Sequence, residues 1–163
     1  MRPDIPPEGI PRRQKPGQTN DLSPSVKSLS EEIGLKMKRP DFIPCSRAAL
    51  EAAEYAKERL KFDQFHLAVF KAYWEDGKNI GLRSVLHDIA EVCGLDGDEL
   101  ERFLVEGRYT ARIDGQNEEA RASGITGIPA YIIGDHLIEG AQPYQIFQRA
   151  VELTQRKRKE PQR

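Results

Sequence analysis

Few side chains in these 163 residues are of a type that does covalent or acid–base chemistry: two cysteines, Cys45 and Cys93, and three histidines, His66, His87 and His136. A cysteine thiolate can attack a disulfide, but an exchange that turns over needs a second thiol to resolve the mixed disulfide. Cys45 and Cys93 lie far apart in sequence and form no Cys-x-x-Cys, metal pair or disulfide framework. Cys45, in "FIPCSRAAL", stands just before or at the start of a helix, where the dipole favours a thiolate. An incidental thiol in a capping region is the other reading of that position. Cys93 continues the apolar face of Val85, Ile89 and Val92 and reads as core. The histidines have no ligand-like spacing, so structural or surface roles are expected and no metal site is assigned. Arg47 and Arg83 can meet an anionic substrate, or can be ordinary solvated helix charges.

Chemistry of this kind must be positioned by a fold, and composition bounds it. The chain is long enough to bury a core without staples. It is 38% hydrophobic and 31% charged, and it holds no apolar run near the ~18 residues of a membrane span. Lys and Arg total 25 against 26 Asp and Glu, a net charge of -1 that gives no reason to expect nucleic acid as partner. Met1 leads into "RPDIPPEGIPRR" without the apolar stretch of a secretory signal, which implies a cytoplasmic location.

Residues 1–24 hold six of the 11 prolines and read as an extended surface segment. Residues 25–123 carry helical periodicity. "SVKSLSEEIG" is a short helix that Gly34 can stop, and "LKMKRPDFIP" is an irregular link. "SRAALEAAEYAKERL" presents a small face of Ala48, Ala49, Ala52, Ala53 and Ala56. "FDQFHLAVFKAYWEDG" sets Phe62, Phe65, Val69, Phe70, Tyr73 and Trp74 in a core-facing stripe, and "LRSVLHDIAEVCG" repeats the pattern. In "LDGDELERFLVEG", Asp96 stands three residues before Glu99, a capping-box spacing. A helix over "YTARIDGQNEEARAS" is weakened by Gly115. Residues 155–163 are basic, lack apolar side chains and read as a disordered tail.

Residues 124–154 differ. "IPAYII" and "HLIEG" read as two strands joined by a tight turn at Gly134-Asp135. "PYQIFQRAVELTQ" then gives a helix with Pro143 in its first turn and Ile146, Phe147, Ala150, Val151 and Leu153 on its buried side. The expected class is α+β, mostly helical: a bundle followed by a C-terminal hairpin and helix. Pro129 can simply be a proline at a strand's first position.

Several of these stretches, in one order, carry a resemblance. "GITGIPAYII" and "GAQPYQIF" resemble the C-terminal half of DsbA-like thioredoxin-fold proteins, most closely the FrnE and 2-hydroxychromene-2-carboxylate isomerase branch. "RPDIPPEG" is similar to the segment after that branch's second strand, and "FHLAVFKAYWEDGKNI" and "VLHDIAEVCGLD" resemble its inserted helical domain. The resemblance implies a cis Pro129, with Ile128 turned so that its backbone N–H and C=O pair with an extended peptide or with the cysteinyl part of glutathione. Thr126, in "TGIPAY", belongs to the same implied substrate loop.

The family's opening strand, its Cys-x-x-Cys or Ser-type helix and its second strand have no counterpart in these residues. The expectation is therefore a DsbA/FrnE-like thiol-disulfide oxidoreductase relative with little redox activity as this chain, acting on peptide or protein thiols, needing no cofactor and with glutathione a possible co-substrate. A glutathione-dependent isomerase or transferase and a non-catalytic binding module are the alternatives. Loss of the central strands implies an exposed hairpin edge and a homodimer formed through it.

Overall fold

A computed structural model describes residues 5–13 and 21–159. The expected segments "RPDIPPEG" and 1–24 therefore fall only partly within the described residues, and 160–163 of the basic tail lie outside them. Contacts divide the chain into two compact units, Met1–Asp114 and Gly115–Arg163. The boundary falls inside a helix.

The first unit begins with β1 (Ile10–Pro11), α1 (Pro24–Glu32) and β2 (Phe42–Ile43). β1 and β2 pair antiparallel, Ile10 opposite Ile43 and Pro11 opposite Phe42. The proline-rich segment is thus tied down by pairing with a stretch expected to be an irregular link. Arg12 secures it, its backbone N–H donating to Asp41 O at 2.8 Å and its guanidinium to Pro40 O and to the Tyr73 hydroxyl.

The bundle follows: α2 (Arg47–Glu58), α3 (Phe62–Trp74), α4 (Arg83–Val92), α5 (Gly97–Val105) and the first turn of α6 (Thr110–Ala122). α2 is central and packs on α3, α4 and α5. Its alanines permit this, since Ala49, Ala52 and Ala56 are buried and let neighbouring backbones approach. Tyr55, Phe65, Leu86 and Leu100 fill the interior. The stripe expected on α3 is only partly a core stripe. Phe65, Val69 and Tyr73 are buried, but Phe62 and Phe70 are exposed and Trp74 is half-buried. α3 lies at the bundle's margin, so Ala72 takes the inner position while Phe62, His66 and Phe70, four apart, form an outer row, the first pair stacked at 5.1 Å and the second tilted at 4.7 Å. Val92, expected on the inner face of α4, is 82% exposed because the helix ends there.

At α5 the Asp96 carboxylate accepts from Glu99 N at 2.8 Å, one half of the capping box. The reciprocal half is not made, because the Glu99 carboxylate is held by Arg59 and by the Tyr55 hydroxyl. That buried phenol is pushed up to about 12, first by burial and then by the bond to Glu99.

The second unit holds the rest of α6, then β3 (Ala130–Ile133), β4 (His136–Glu139) and α7 (Tyr144–Lys159). The hairpin forms as expected: Ile133 faces His136 across Gly134-Asp135, and Gly134 takes the positive φ of 60° that a glycine supplies without strain. α7 covers one face of the hairpin. Phe147 meets Tyr131 edge-on at 5.0 Å, and Thr154 donates to Ile133 O at 3.3 Å. Of the side expected to be buried, Phe147, Ala150 and Leu153 face inward, whereas Ile146 and Val151 are exposed. Two strands are too narrow to cover a wider stripe. α7 also continues to Lys159, so 155–159 are helical rather than a disordered tail, with Lys157 paired to Asp135. Among the described residues, no helix is long and apolar enough to cross a membrane.

Candidate functional site

Each unit holds part of what the sequence singled out. In the second unit, the chain leaves α6 through Gly124, and Ile125 N returns to Ala120 O at 3.0 Å before the loop Thr126–Pro129. Two bonds fix this loop to the end of β4: the Thr126 hydroxyl donates to Glu139 Oε1 at 3.3 Å, and Gly140 N donates to Pro129 O at 2.8 Å. The Ile128–Pro129 bond is cis. Ile128 stands between the two anchors and is 94% exposed. Within the described residues of its unit, its N–H and C=O have no hydrogen-bond partner. Thr126, Ile128 and Pro129 are thus brought together. A donor and an acceptor offered by one exposed residue beside a strand are what strand addition requires.

Cys45 belongs to the first unit, where it lines a cleft of about 620 Å³. Three backbone segments meet at Gly81, in the lining of this cleft. A Cβ there would lie 2.5 Å from Pro7 O and 3.0 Å from Cys45 O. Asn79 locks the meeting, donating to Glu8 O at 2.9 Å and accepting from Gly81 N at 2.9 Å. Cys45 is half-buried and precedes the N-cap of α2, Ser46, whose side chain makes no capping bond.

Arg47 also lines the cleft, but it is committed. Its guanidinium donates to Glu51 Oε1 at 3.1 Å, to Asp114 Oδ1 at 2.8 Å and to Thr110 O at 3.3 Å. The bond to Asp114 is the main reason its pKa is raised and that of Asp114 lowered. It is therefore neither a free anion receptor nor a solvated helix charge. Glu51, with a side chain only 7% exposed, also receives the Thr110 hydroxyl at 3.1 Å. Arg83, the first residue of α4, is exposed.

Cys93 is buried in the core, and burial pushes its thiol pKa up. His66 lies in the outer aromatic row of α3, His87 faces Asp98 at 3.2 Å, and His136 is exposed at the start of β4. Among the described residues, no group of three or more His, Cys, Asp or Glu is placed to hold a metal. Sequence reasoning missed Glu51, Thr110 and Gly81. The i,i+4 spacing of Arg47 and Glu51 signals the first, whereas Thr110 and Gly81 act through contacts distant in sequence.

This arrangement belongs to a known class. Residues 1–152 match the DSBA-like thioredoxin domain, and the chain is a member of that family. It is 30% identical over 162 residues to the uncharacterized protein YwbO of Bacillus subtilis (strain 168), covering 96% of this chain and 77% of that protein. Two solved structures share the fold. The probable DsbA oxidoreductase SCO1869 of Streptomyces coelicolor matches 85% of this chain at a TM-score of 0.75 and 22% identity. A 2-hydroxychromene-2-carboxylate isomerase matches 82% at 0.71 and 22%. The chain spans 61% of the first of these and 66% of the second.

Proposed function

We propose that this protein takes part in thiol–disulfide exchange on peptide or protein thiols in the cytoplasm, and that these residues contribute the docking of substrate. An extended peptide pairs its backbone with the N–H and C=O of Ile128, with Pro129 and Thr126 holding the loop. The observation that carries this reading is the 94% exposure of Ile128 on a loop otherwise pinned to β4. Glutathione, through the backbone of its cysteinyl residue, is the smallest ligand able to use the same edge.

The redox step is limited by the thiols in hand. Attack by the Cys45 thiolate on a substrate disulfide forms a mixed disulfide and releases one substrate thiolate; a second thiol must then break that bond. Cys93 is 2% exposed and its pKa is raised, so it is a poor resolving group. These 163 residues acting alone therefore turn over little disulfide.

The test titrates an extended, blocked peptide with serine in place of cysteine into the 15N-labelled chain. Shifts confined to 126–132 are expected, and the absence of any shift there sinks the docking role. Insulin reduction is expected near the uncatalysed rate; brisk reduction abolished by Cys45→Ser would overturn the limit on turnover.

A further inference from the structure

The Thr126–Pro129 loop is fastened to a residue that carries charge. Glu139 ends β4, opposite Ala130. The adjacent pair, Tyr131 and Ile138, faces α7, since Tyr131 meets Phe147 and Ile138 is buried. Side chains alternate along a strand, so Glu139 points to the other face of the hairpin. From there it reaches past Pro129 and takes the Thr126 hydroxyl on Oε1 at 3.3 Å. Its backbone is held too. The Glu139 carbonyl accepts from Gln142 Nε2 at 2.9 Å, and the next amide, Gly140 N, is the donor to Pro129 O.

None of these bonds neutralises the carboxylate. The hairpin's other acid, Asp135, is paired to Lys157, and Glu152 of α7 to Arg149. Glu139 is exposed and forms no ion pair among the described residues, and Oε2 has no hydrogen-bond donor among them. A negative charge without a counter-charge therefore stands at the end of the hairpin that carries the docking loop.

Strand addition at Ile128 lays a peptide alongside that loop. Thr126 is two residues from Ile128, at most about 7 Å of chain. An extended peptide covers the same span in two residues, so the second residue from the docked one comes level with Thr126, whichever way the peptide runs. A lysine or arginine there has a flexible stem with which to bring its cation to Oε2. We propose that Glu139 sets the substrate preference of the docking loop, favouring cysteine-containing segments with a lysine or arginine two residues from the docked residue and disfavouring those with an acid there. This rests on the docking role of Ile128 proposed above. The preference is read as a ratio of affinities, which the bare loss of docking does not mimic.

The test uses blocked, extended peptides with a central serine and lysine, glutamine or glutamate two residues from it, in one set before the serine and in the other after. Each is titrated into the 15N-labelled chain. In one of the two sets lysine should bind about two- to fivefold tighter than glutamine, the range of an exposed ion pair, and glutamate more weakly than glutamine. Raising the salt should shrink the difference. Glu139→Gln keeps an acceptor for Thr126 but removes the charge, so it should abolish the preference while peptide shifts at 126–132 remain. Asp135→Asn changes the net charge equally at the far end of β4, about 13 Å away, and should leave the preference intact. Equal affinity for the three peptides in both sets overturns the preference and leaves docking at Ile128 standing. A lysine preference that survives Glu139→Gln, or that Asp135→Asn also removes, overturns Glu139 as its source. No shift at 126–132 with any peptide defeats the docking reading, and the preference with it.

Discussion

Arg47 and Asp114 are joined by a 2.8 Å bond that links the first turn of α2 to α6, and the same guanidinium covers the buried carboxylate of Glu51. Removing the arginine leaves a 7% exposed carboxylate with Thr110 as its remaining partner. A buried acceptor stripped of its donor costs about 1–3 kcal/mol. Arg47→Met should therefore lower stability by that order in urea denaturation. Arg47→Met with Glu51→Gln should recover part of the loss, because no buried charge is then stranded. Strict additivity of the two substitutions would show that they do not act as a pair.

Leu60 is the odd helix end. α2 closes with Leu60 N on Lys57 O and Lys61 N on Ala56 O, the double return that also ends α1 at Gly34 and α4 at Gly94. Leu60 takes the same left-handed conformation, φ 57°, with a side chain 95% exposed. A non-glycine residue is strained there by about 1–2 kcal/mol. Glycine gives some of that back through its freer unfolded chain. Leu60→Gly should stabilise the protein by about 1 kcal/mol, and the melting temperature should rise by about 2–4 °C. A lower melting temperature would mean that Leu60 makes an unrecognised contact.

The hairpin, α7 and the five bundle elements were legible because each follows a local period or a local turn signal. Gly134-Asp135 marks its turn through backbone conformation alone, and Ala49, Ala52 and Ala56 mark a close-packed face. What was illegible depends on distant neighbours. The pairing of Ile10–Pro11 with Phe42–Ile43 is two residues long, too short to leave a period. The apolar pattern of α3 is wider than the surface its neighbours can cover, so periodicity alone assigns Phe62 and Phe70 to a core they do not enter. At the site, "TGIPAY" was legible only through resemblance. Glu51, Thr110 and Gly81 form their contacts across elements that nothing local connects.

His87 should titrate above the ordinary histidine value of about 6.5. The bond to Asp98 is the chief cause, with the charges of Asp98 and Glu91 and a weaker bond to Asp88 acting in the same direction. A raised folded pKa means that the stabilisation is fully present below the unfolded value and is lost as pH rises through the folded one. The α4–α5 corner should thus loosen slightly on the alkaline side of that transition. Proton NMR of the imidazole should show the upward shift, and Asp98→Asn should bring it back toward 6.5. A titration unchanged by that substitution would remove Asp98 as the cause.

Gly81 lines the Cys45 cleft where three backbone segments come closest. Its missing side chain lets the Pro7 and Cys45 carbonyls close on the turn before α4, and both atoms that a Cβ would strike are backbone. Neither can swing away as a side-chain tip would. Alanine here must push the segment carrying Pro7 and Glu8 outward, break the Asn79 bonds to it, or shift the start of α2. Overpacking of this kind costs about 1–3 kcal/mol. Gly81→Ala should lower stability by that amount and raise the rate at which a bulky maleimide reaches Cys45, since the Pro7–Glu8 segment that lines the cleft with it is displaced. Asn79→Ala removes the same bonds without the clash, so it should speed Cys45 labelling while costing less stability. If Gly81→Ala left the labelling rate unchanged and Asn79→Ala raised it, the strain would be absorbed at α4, and the cleft would be held by Asn79 alone.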